Sequence, residues 1–348
     1  MRHYMAQGLK RDKCLSICGI SKNQYYYKSI GRNRGRKPSE YTLQMIDNEF
    51  IRKSNDFVVS CIKSMFANPL VDYGYHRMTG ALHLQGFRIN HKKVYRLMKN
   101  ARLLRAAKPR AAKNYVKYRV LCPEGALRLM EMDIKQVWLE GKGRYAYILT
   151  VIDVFTRVIL HWQVGLSIKQ AQVQKAWEEI IEQHLEPHGA LAWEGHIEVR
   201  SDNGPQFCAN KLRKFLKDNY FYQTFTHPYT PQENGHVESF HAILGDALRG
   251  QSFKSLQALK YQLVIFYKFY NYQRIHGSTL LLPPMTFWQQ WKQGNILRIV
   301  VDLKRRKVKF KLKCPRYHLK IMESAGNMNQ REVCSLNFEG STLATSKP

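Results

Sequence analysis

The sequence predicts an α/β protein with a layered core near its middle, and three observations predict it. Short apolar, partly β-branched runs recur at 127–134, 145–153 and 157–164, the pattern of three successive antiparallel strands. After them, helical and strand-like stretches alternate as far as Trp291. On either side the chain turns basic: residues 1–120 hold 26 Lys and Arg against 6 acids and 291–348 hold 13 against 4, whereas 121–290 hold 17 against 16. A near-neutral folded middle between two cationic ends is the layout of an enzyme with arms for a polyanion. The formal charge of +30 repels itself unless such a partner offsets it.

In chain order, residues 11–27 read as a short helix stopped at Gly19 and a second capped by Ser21, an outline shared with helix-turn-helix motifs. The basic stretch 31–39 reads as a linker. A helix from Tyr75 to Leu84 should end near Gly86, and Asn90 should cap another over 91–100. There Val94, Leu97 and Met98 turn inward, while Lys92, Arg96 and Lys99 share another face with Lys93 beside them. These four cations are the expected groove and phosphate contacts of a helix-turn-helix; the plainer reading is a solvated basic face. Residues 101–119 continue as a basic arm.

Beyond the three strands, a helical pattern runs from Ser167 to His188, a strand over 196–202 and a helix over about 210–219. FYQTF then reads as a strand, 227–235 as a loop with two prolines, and about 236–249 and 255–274 as helices. In the tail Lys307, Lys309, Lys311 and Lys313 alternate with Val308, Phe310 and Leu312, so a half-buried strand should turn a ladder of lysines toward DNA. Four regions follow: a helical segment with linker at 1–45, a helix-turn-helix region with its arm at 46–119, a catalytic core at 120–291, and a small basic β-rich tail at 292–348.

The seven cysteines are scattered and odd in number, and the Cys14/Cys18 pair has no companion pair to complete a zinc site. Ordinary thiols of a cytoplasmic protein are expected. The N-terminal stretch lacks the apolar core of a signal peptide, and no apolar run approaches the ~18 residues that span a bilayer.

Three carboxylates stand out. Asp133 interrupts an apolar strand, where a charge is costly unless paired or metal-bound. Asp202 closes a strand before Asn203-Gly204-Pro205, and Glu238 falls in the first turn of a helix. Each alone has a dull explanation: a strand end, a turn former, a helix-dipole partner. Together they are hard oxygen donors of the kind Mg2+ prefers.

Asp202 and Glu238 are separated by 35 residues, within SDNGPQF and HPYTPQENGHVESF. On these motifs the sequence resembles the DD(35)E integrase–transposase superfamily, specifically bacterial insertion-sequence transposases. YGYHRMTGALHLQGFRINHKKVYRLM looks like the helix-turn-helix ahead of their catalytic domain. MEMDI matches the first-aspartate segment, and FYNYQRIHGSTLLLPPMTFW the closing segment. The resemblance implies a ribonuclease-H-like fold and two Mg2+ (or Mn2+) ions, bridged by Asp133, with Asp202 completing one and Glu238 the other. It implies cleavage at the element's ends, then attack of the freed 3′-hydroxyl on target DNA. It also implies action as a homo-oligomer on paired ends of double-stranded DNA, a nucleoid-associated location in the cytoplasm, and no membrane partner. A separate upstream-frame DNA-binding protein stays open as a partner.

Glu233 is a rival for the third carboxylate, but it lacks the spacing and the Glu-Ser-Phe context. One departure concerns the position seven residues past Glu238, where many relatives carry a cation and this chain has Gly245; on that face only Arg249 supplies one. Close approach of DNA or another helix is the favoured explanation of Gly245. Two rival functions remain open on the residues alone: a DNA-binding protein whose core is inactive, and a junction or ribonuclease-H-type nuclease that cuts without joining.

Overall fold

The structure is a computed structural model that describes residues 1–27, 38–106, 122–192, 197–227, 231–302 and 307–319. Met1–Glu40 forms one compact unit and the rest of the chain another. The first unit contains α1 (Arg2–Ala6), α2 (Arg11–Ile17) and α3 (Lys22–Tyr26). Ser21 caps α3 as expected, in a capping box with Gln24. The linker expected at 31–39 lies mostly outside the described residues.

The second unit opens on a hairpin that the sequence reading missed, β1 (Tyr41–Ile46) and β2 (Glu49–Ser54), and the regional boundary expected at 45/46 falls inside β1. Its turn, Asp47-Asn48, has φ of 48° and 66°, the left-handed pair that a two-residue hairpin loop demands. Ser54 caps α4 (Asn55–Phe66). The expected helix pair follows: α5 (Tyr75–Leu84), β3 (Phe87–Arg88) on the edge of β1, and α6 (His91–Asn100). Asn90 accepts the Lys93 N–H at 2.8 Å, and Val94, Leu97 and Met98 are buried.

The central strands are β4 (Leu129–Leu139), β5 (Arg144–Asp153) and β6 (Ile159–Gly165), all antiparallel neighbours. The helix expected over 167–188 is shorter: α7 (Gln170–Ile180) gives way to a widened π turn over 181–185 and a 3-10 turn carrying Pro187. Next come β7 (Ile197–Ser201), α8 (Pro205–Cys208), α9 (Asn210–Asp218), β8 (Phe221–Phe225), α10 (Gly235–Leu248), α11 (Leu256–Tyr272) and α12 (Pro284–Lys292). The sheet order is β6-β5-β4-β7-β8, with β4, β7 and β8 parallel. Three antiparallel strands extended by two parallel ones is the ribonuclease-H-like topology that was expected.

Helices cover both faces of this sheet. Met130, Met132, Val151 and Val199 pack against Val173 and Trp177 of α7 and Leu212 and Leu216 of α9. Ala146, Ile148 and Ile152 pack against Phe240 and Leu244 of α10 and Leu263 and Tyr270 of α11. Burial on both sides fixes the register of the strands, because a one-residue slip would exchange the two faces.

The helix-turn-helix region and the tail dock on this core instead of standing apart. The tail forms a hairpin of β9 (Ile296–Asp302) and β10 (Lys307–Leu312). Phe310 of β10 sits with its ring 5.3 Å from both Phe155 and Phe287, in the same apolar cluster as Val58, Met78 and Val94. Asp72 ahead of α5 takes Arg274 at 2.8 Å and Arg77 at 3.0 Å, and the Tyr73 hydroxyl accepts the Ile275 N–H at 2.8 Å. A Cβ on Gly80 would come within 2.7 Å of the Leu281 Cβ and 2.9 Å of its carbonyl, so only glycine lets α5 approach so closely.

Candidate active site

The site is built where α10 lies along β4. Alternate β4 residues Glu131, Asp133 and Lys135 face α10, and they meet it at His236–Val237, His241 and Gly245. Two strand residues advance ~6.6 Å and four helix residues ~6 Å, so the two elements stay in step over this length. Glu131 is fully buried and accepts the backbone N–H groups of His236 and Val237 at 2.9 Å each, with the His236 ring at 2.7 Å. Those N–H groups open α10 and have no partner within the helix, so a strand carboxylate at the positive end of the helix dipole pins its first turn.

Asp133 is partly exposed. One oxygen accepts the Ile134 N–H at 2.8 Å and the other meets Nδ1 of His241 at 3.1 Å, whose Nε2 is buried without a partner. Glu238 lies one turn before His241 on the open surface of α10. Although exposed, its carboxyl is pushed up to about 7, first by loss of water around it and then by the charges of Asp133 and Glu131. Asp202 follows β7, and its Oδ1 accepts the Gly204 N–H at 3.0 Å. β4 and β7 pair in parallel with Glu131 opposite Arg200, so continuing that register sets Asp133 opposite Asp202. Burial raises the Asp202 carboxyl, the Gly204 N–H opposes this, and the Asp133 charge adds a further push.

The charge of Asp133 thus reaches both Asp202 and Glu238, yet among the described residues no three His, Cys, Asp or Glu side chains close on a common point that could hold a metal ion. Glu233 is turned elsewhere. It accepts the His227 N–H at 3.0 Å and meets the His227 ring at 2.9 Å, and these contacts outweigh partial burial to hold its carboxyl low. The loop expected at 227–235 is described only in part, since 228–230 lie outside.

Among the described residues Gly245 has no crowded neighbour. A Cβ there would meet Nζ and Cε of Lys135 at 3.5 and 3.7 Å, ordinary contact distances. A cation from β4 thus stands beside the position where α10 has none. Arg249 ends α10 paired with Asp246.

Of the expected DNA contacts on α6, Lys92 and Lys99 are exposed and Arg96 is half-buried. Lys93 is committed within the chain, its Nζ donating to the Tyr41 carbonyl at 2.5 Å, because the unforeseen β1 runs beneath it. In the tail Lys309, Lys311 and Lys313 are exposed opposite half-buried Val308, Phe310 and Leu312, as the alternation requires. Lys307 opens β10, and its side chain lies outside the description. Sequence reasoning missed Glu131 and Lys135, although both stand two residues from Asp133 on the same strand face.

A ribonuclease-H-like core with acidic residues on one parallel strand, just past the end of its neighbour and on the facing helix defines a polynucleotidyl-transfer class. Family models described as Integrase core domain match residues 123–231 and 221–284, and one described as HTH-like domain matches 54–112. Together they span more than half of the chain. By these matches the chain has an integrase core and is a DDE-type enzyme, similar to the transposases of insertion sequences. It is 28% identical over 233 residues to InsK of insertion sequence element IS150 of Escherichia coli (strain K12), covering 63% of this chain and 78% of that protein. It is 24% identical over 270 residues to the transposase for insertion sequence element IS904 of Lactococcus lactis subsp. lactis (strain IL1403), covering 72% and 97%. The catalytic core domain of BIV integrase is 20% identical and covers 48% of this chain and 97% of its own, with a TM-score of 0.35; the fold assignment rests on strand order and the family models.

Proposed function

We propose that this chain cuts phosphodiesters at the ends of a mobile element and joins the freed 3′-hydroxyls to target DNA. One observation carries the reading: β4, β7 and α10 bring Asp133, Asp202 and Glu238 near enough for the charge of Asp133 to raise the other two carboxyls. Carboxyls whose ionisation a neighbouring carboxylate opposes are relieved by a shared cation, and this all-oxygen donor set suits Mg2+ or Mn2+. When bound, two such ions activate the attacking oxygen and stabilise the leaving one. Asp133, opposite Asp202 and beside α10, is the residue both ions would share. Asp202 would complete one and Glu238 the other.

The chain's own residues do the positioning. Glu131 fixes the first turn of α10, and with it Glu238. His241 steers the Asp133 carboxylate. Lys92, Lys93, Arg96, Lys99, Arg249, Lys307, Lys309, Lys311 and Lys313 are the proposed DNA contacts, Lys93 now the weakest member because Tyr41 engages it. The enzyme would act as a homo-oligomer on paired ends in the cytoplasm, with or without an upstream-frame partner. Among the described residues no helix is long and apolar enough to cross a membrane.

The test is a gel assay of the purified chain with Mg2+ and duplexes that carry the DNA flanking its gene. Nicked ends and joined products are expected. Cutting without joining points to a nuclease, and the absence of both overturns the proposal.

A further inference from the structure

β5 ends in a built turn whose purpose the catalytic carboxylates do not explain. Asp153 is fully buried and accepts the backbone N–H groups of Leu127 and Thr156 at 3.0 and 2.8 Å, together with the Thr156 hydroxyl. Its carbonyl accepts the Arg157 N–H at 2.9 Å. This clasp holds Arg157 at φ 67°, a left-handed conformation that a long side chain adopts only when its surroundings impose it. The guanidinium is desolvated: burial lowers its pKa, and Nη1 is buried without a hydrogen-bond partner. Its Nε donates to the Ser278 hydroxyl at a long 3.4 Å.

Arg157 lines a cavity of about 520 Å3 between the core, the segment after α11 and the tail hairpin. His236, Ser278, Lys309 and Arg316 line it too, and among the described residues none of its walls is Asp or Glu. Arg316 donates Nε to the Leu280 carbonyl at 2.5 Å, which fixes the base of its fork at the wall. Two guanidiniums and a lysine line this chamber beside apolar Phe155, Leu281 and Phe310. Glu131 and Asp153 stand outside the lining, though their charges act on Arg157, and guanidinium forks match the oxygens of a phosphate. The chamber adjoins the start of α10, because His236 belongs to both.

We infer that this cavity is an anion site that takes a backbone phosphate of the bound DNA, with Arg157 and Arg316 as its donors. The inference rests on the DNA-processing role proposed above, and it adds a contact that no basic stripe in the sequence announces. It also gives the tail a purpose at the core, since β10 and Arg316 close one side of the chamber.

The test measures binding of the full chain, in EDTA, to a labelled duplex oligonucleotide across a range of salt. Arg157→Asn, a residue that accepts the left-handed backbone, and Arg316→Gln should each bind about tenfold more weakly. Each should also lower the log–log salt slope by about 0.9. Arg157→Lys, which keeps the charge, should restore most of the slope. Melting curves establish that each variant is folded, and if Arg157→Asn is not, Arg316→Gln and Arg157→Lys give the same reading. Folded variants with wild-type affinity and slope overturn the site. A second arm adds inorganic phosphate without DNA: if phosphate stabilises the wild type but not the variants while their DNA slope is unchanged, the site serves a free anion and the backbone-phosphate assignment is overturned. A wild-type chain that binds with this slope yet never cuts would sink the proposed activity and leave this site standing.

Discussion

The buried carboxylate of Glu131 accepts the backbone N–H of Val237 at 2.9 Å, and this bond places Glu238, the next residue, beside the strand that carries Asp133. Glu131→Ala leaves the His236 and Val237 N–H groups without an acceptor in a dry site, at a cost of about 2–4 kcal/mol. Glu131→Gln keeps one acceptor oxygen and should cost roughly half as much. Both should depress joining far more than DNA binding. Chemical denaturation measures the first effect and paired binding and joining assays the second; wild-type joining by a destabilised Glu131→Ala protein would show that α10 needs no such anchor.

The Glu238 carboxyl sets a pH signature. Its folded value of about 7 lies above the ordinary 4.5, so the protonated form favours the folded state. That contribution is fully present below 4.5 and is lost as pH rises through 7. Without divalent ions, the wild type should therefore lose melting temperature over this window relative to Glu238→Gln. Mg2+ should recover it only where Glu238 is ionised, its effect falling about tenfold in apparent affinity per pH unit below 7. Parallel melting curves of the two proteins with pH would refute the coupling.

On α6 the structure separates cations by role. Lys92→Ala with Lys99→Ala should lower the salt slope of DNA binding by roughly 0.9 for each phosphate left without its lysine, with little change in stability. Lys93→Ala should instead loosen β1, which it ties through the Tyr41 carbonyl. A slope change with Lys93→Ala and none with the pair would reverse the assignment.

The tail contributes side chains to the apolar cluster it shares with the rest of the chain. Phe310→Ala removes a ring that touches Phe155 and Phe287, and should cost about 2 kcal/mol for a half-buried phenylalanine. Deleting 295–348 should lower the melting temperature of the core itself, since Ile296, Leu312 and Leu319 leave the shared cluster with it. An unchanged melting temperature would return the tail to the status of a separate arm.

Strands and helices with one buried face were legible because their apolar period survives in the sequence: α5, α6, β8 and β10 fall within a residue or two of expectation. The β1–β2 hairpin was not, because β2 is almost wholly exposed and carries no alternation to read. β4 was cut short at Ile134, where polar Lys135 and Gln136 end the apolar run, although Val137 and Leu139 resume the pattern. At the site, the 35-residue spacing pointed to Asp202 and Glu238, and a charge inside an apolar strand pointed to Asp133. Glu131 stayed hidden because its partners lie 105 and 106 residues away, and no local pattern marks a buried carboxylate that serves a distant helix. Gly245 was read as a point of close approach to DNA or another helix, and among the described residues only the Lys135 side chain stands beside it.

The most direct measurement is a cleavage and joining assay with Mg2+ on Asp133→Asn, Asp202→Asn and Glu238→Gln, run beside Glu233→Gln and with DNA affinity measured on every variant. Each of the first three should lose both reactions by at least about a thousandfold, since on the proposed reading each removes a charge that would hold a catalytic metal ion. Their affinity for DNA should stay within a few-fold of wild type. Glu233→Gln should keep both reactions, because that carboxylate is turned to His227. Substantial joining by any of the first three, or loss of both reactions in a folded, DNA-binding Glu233→Gln, would contradict the assignment of the catalytic carboxylates.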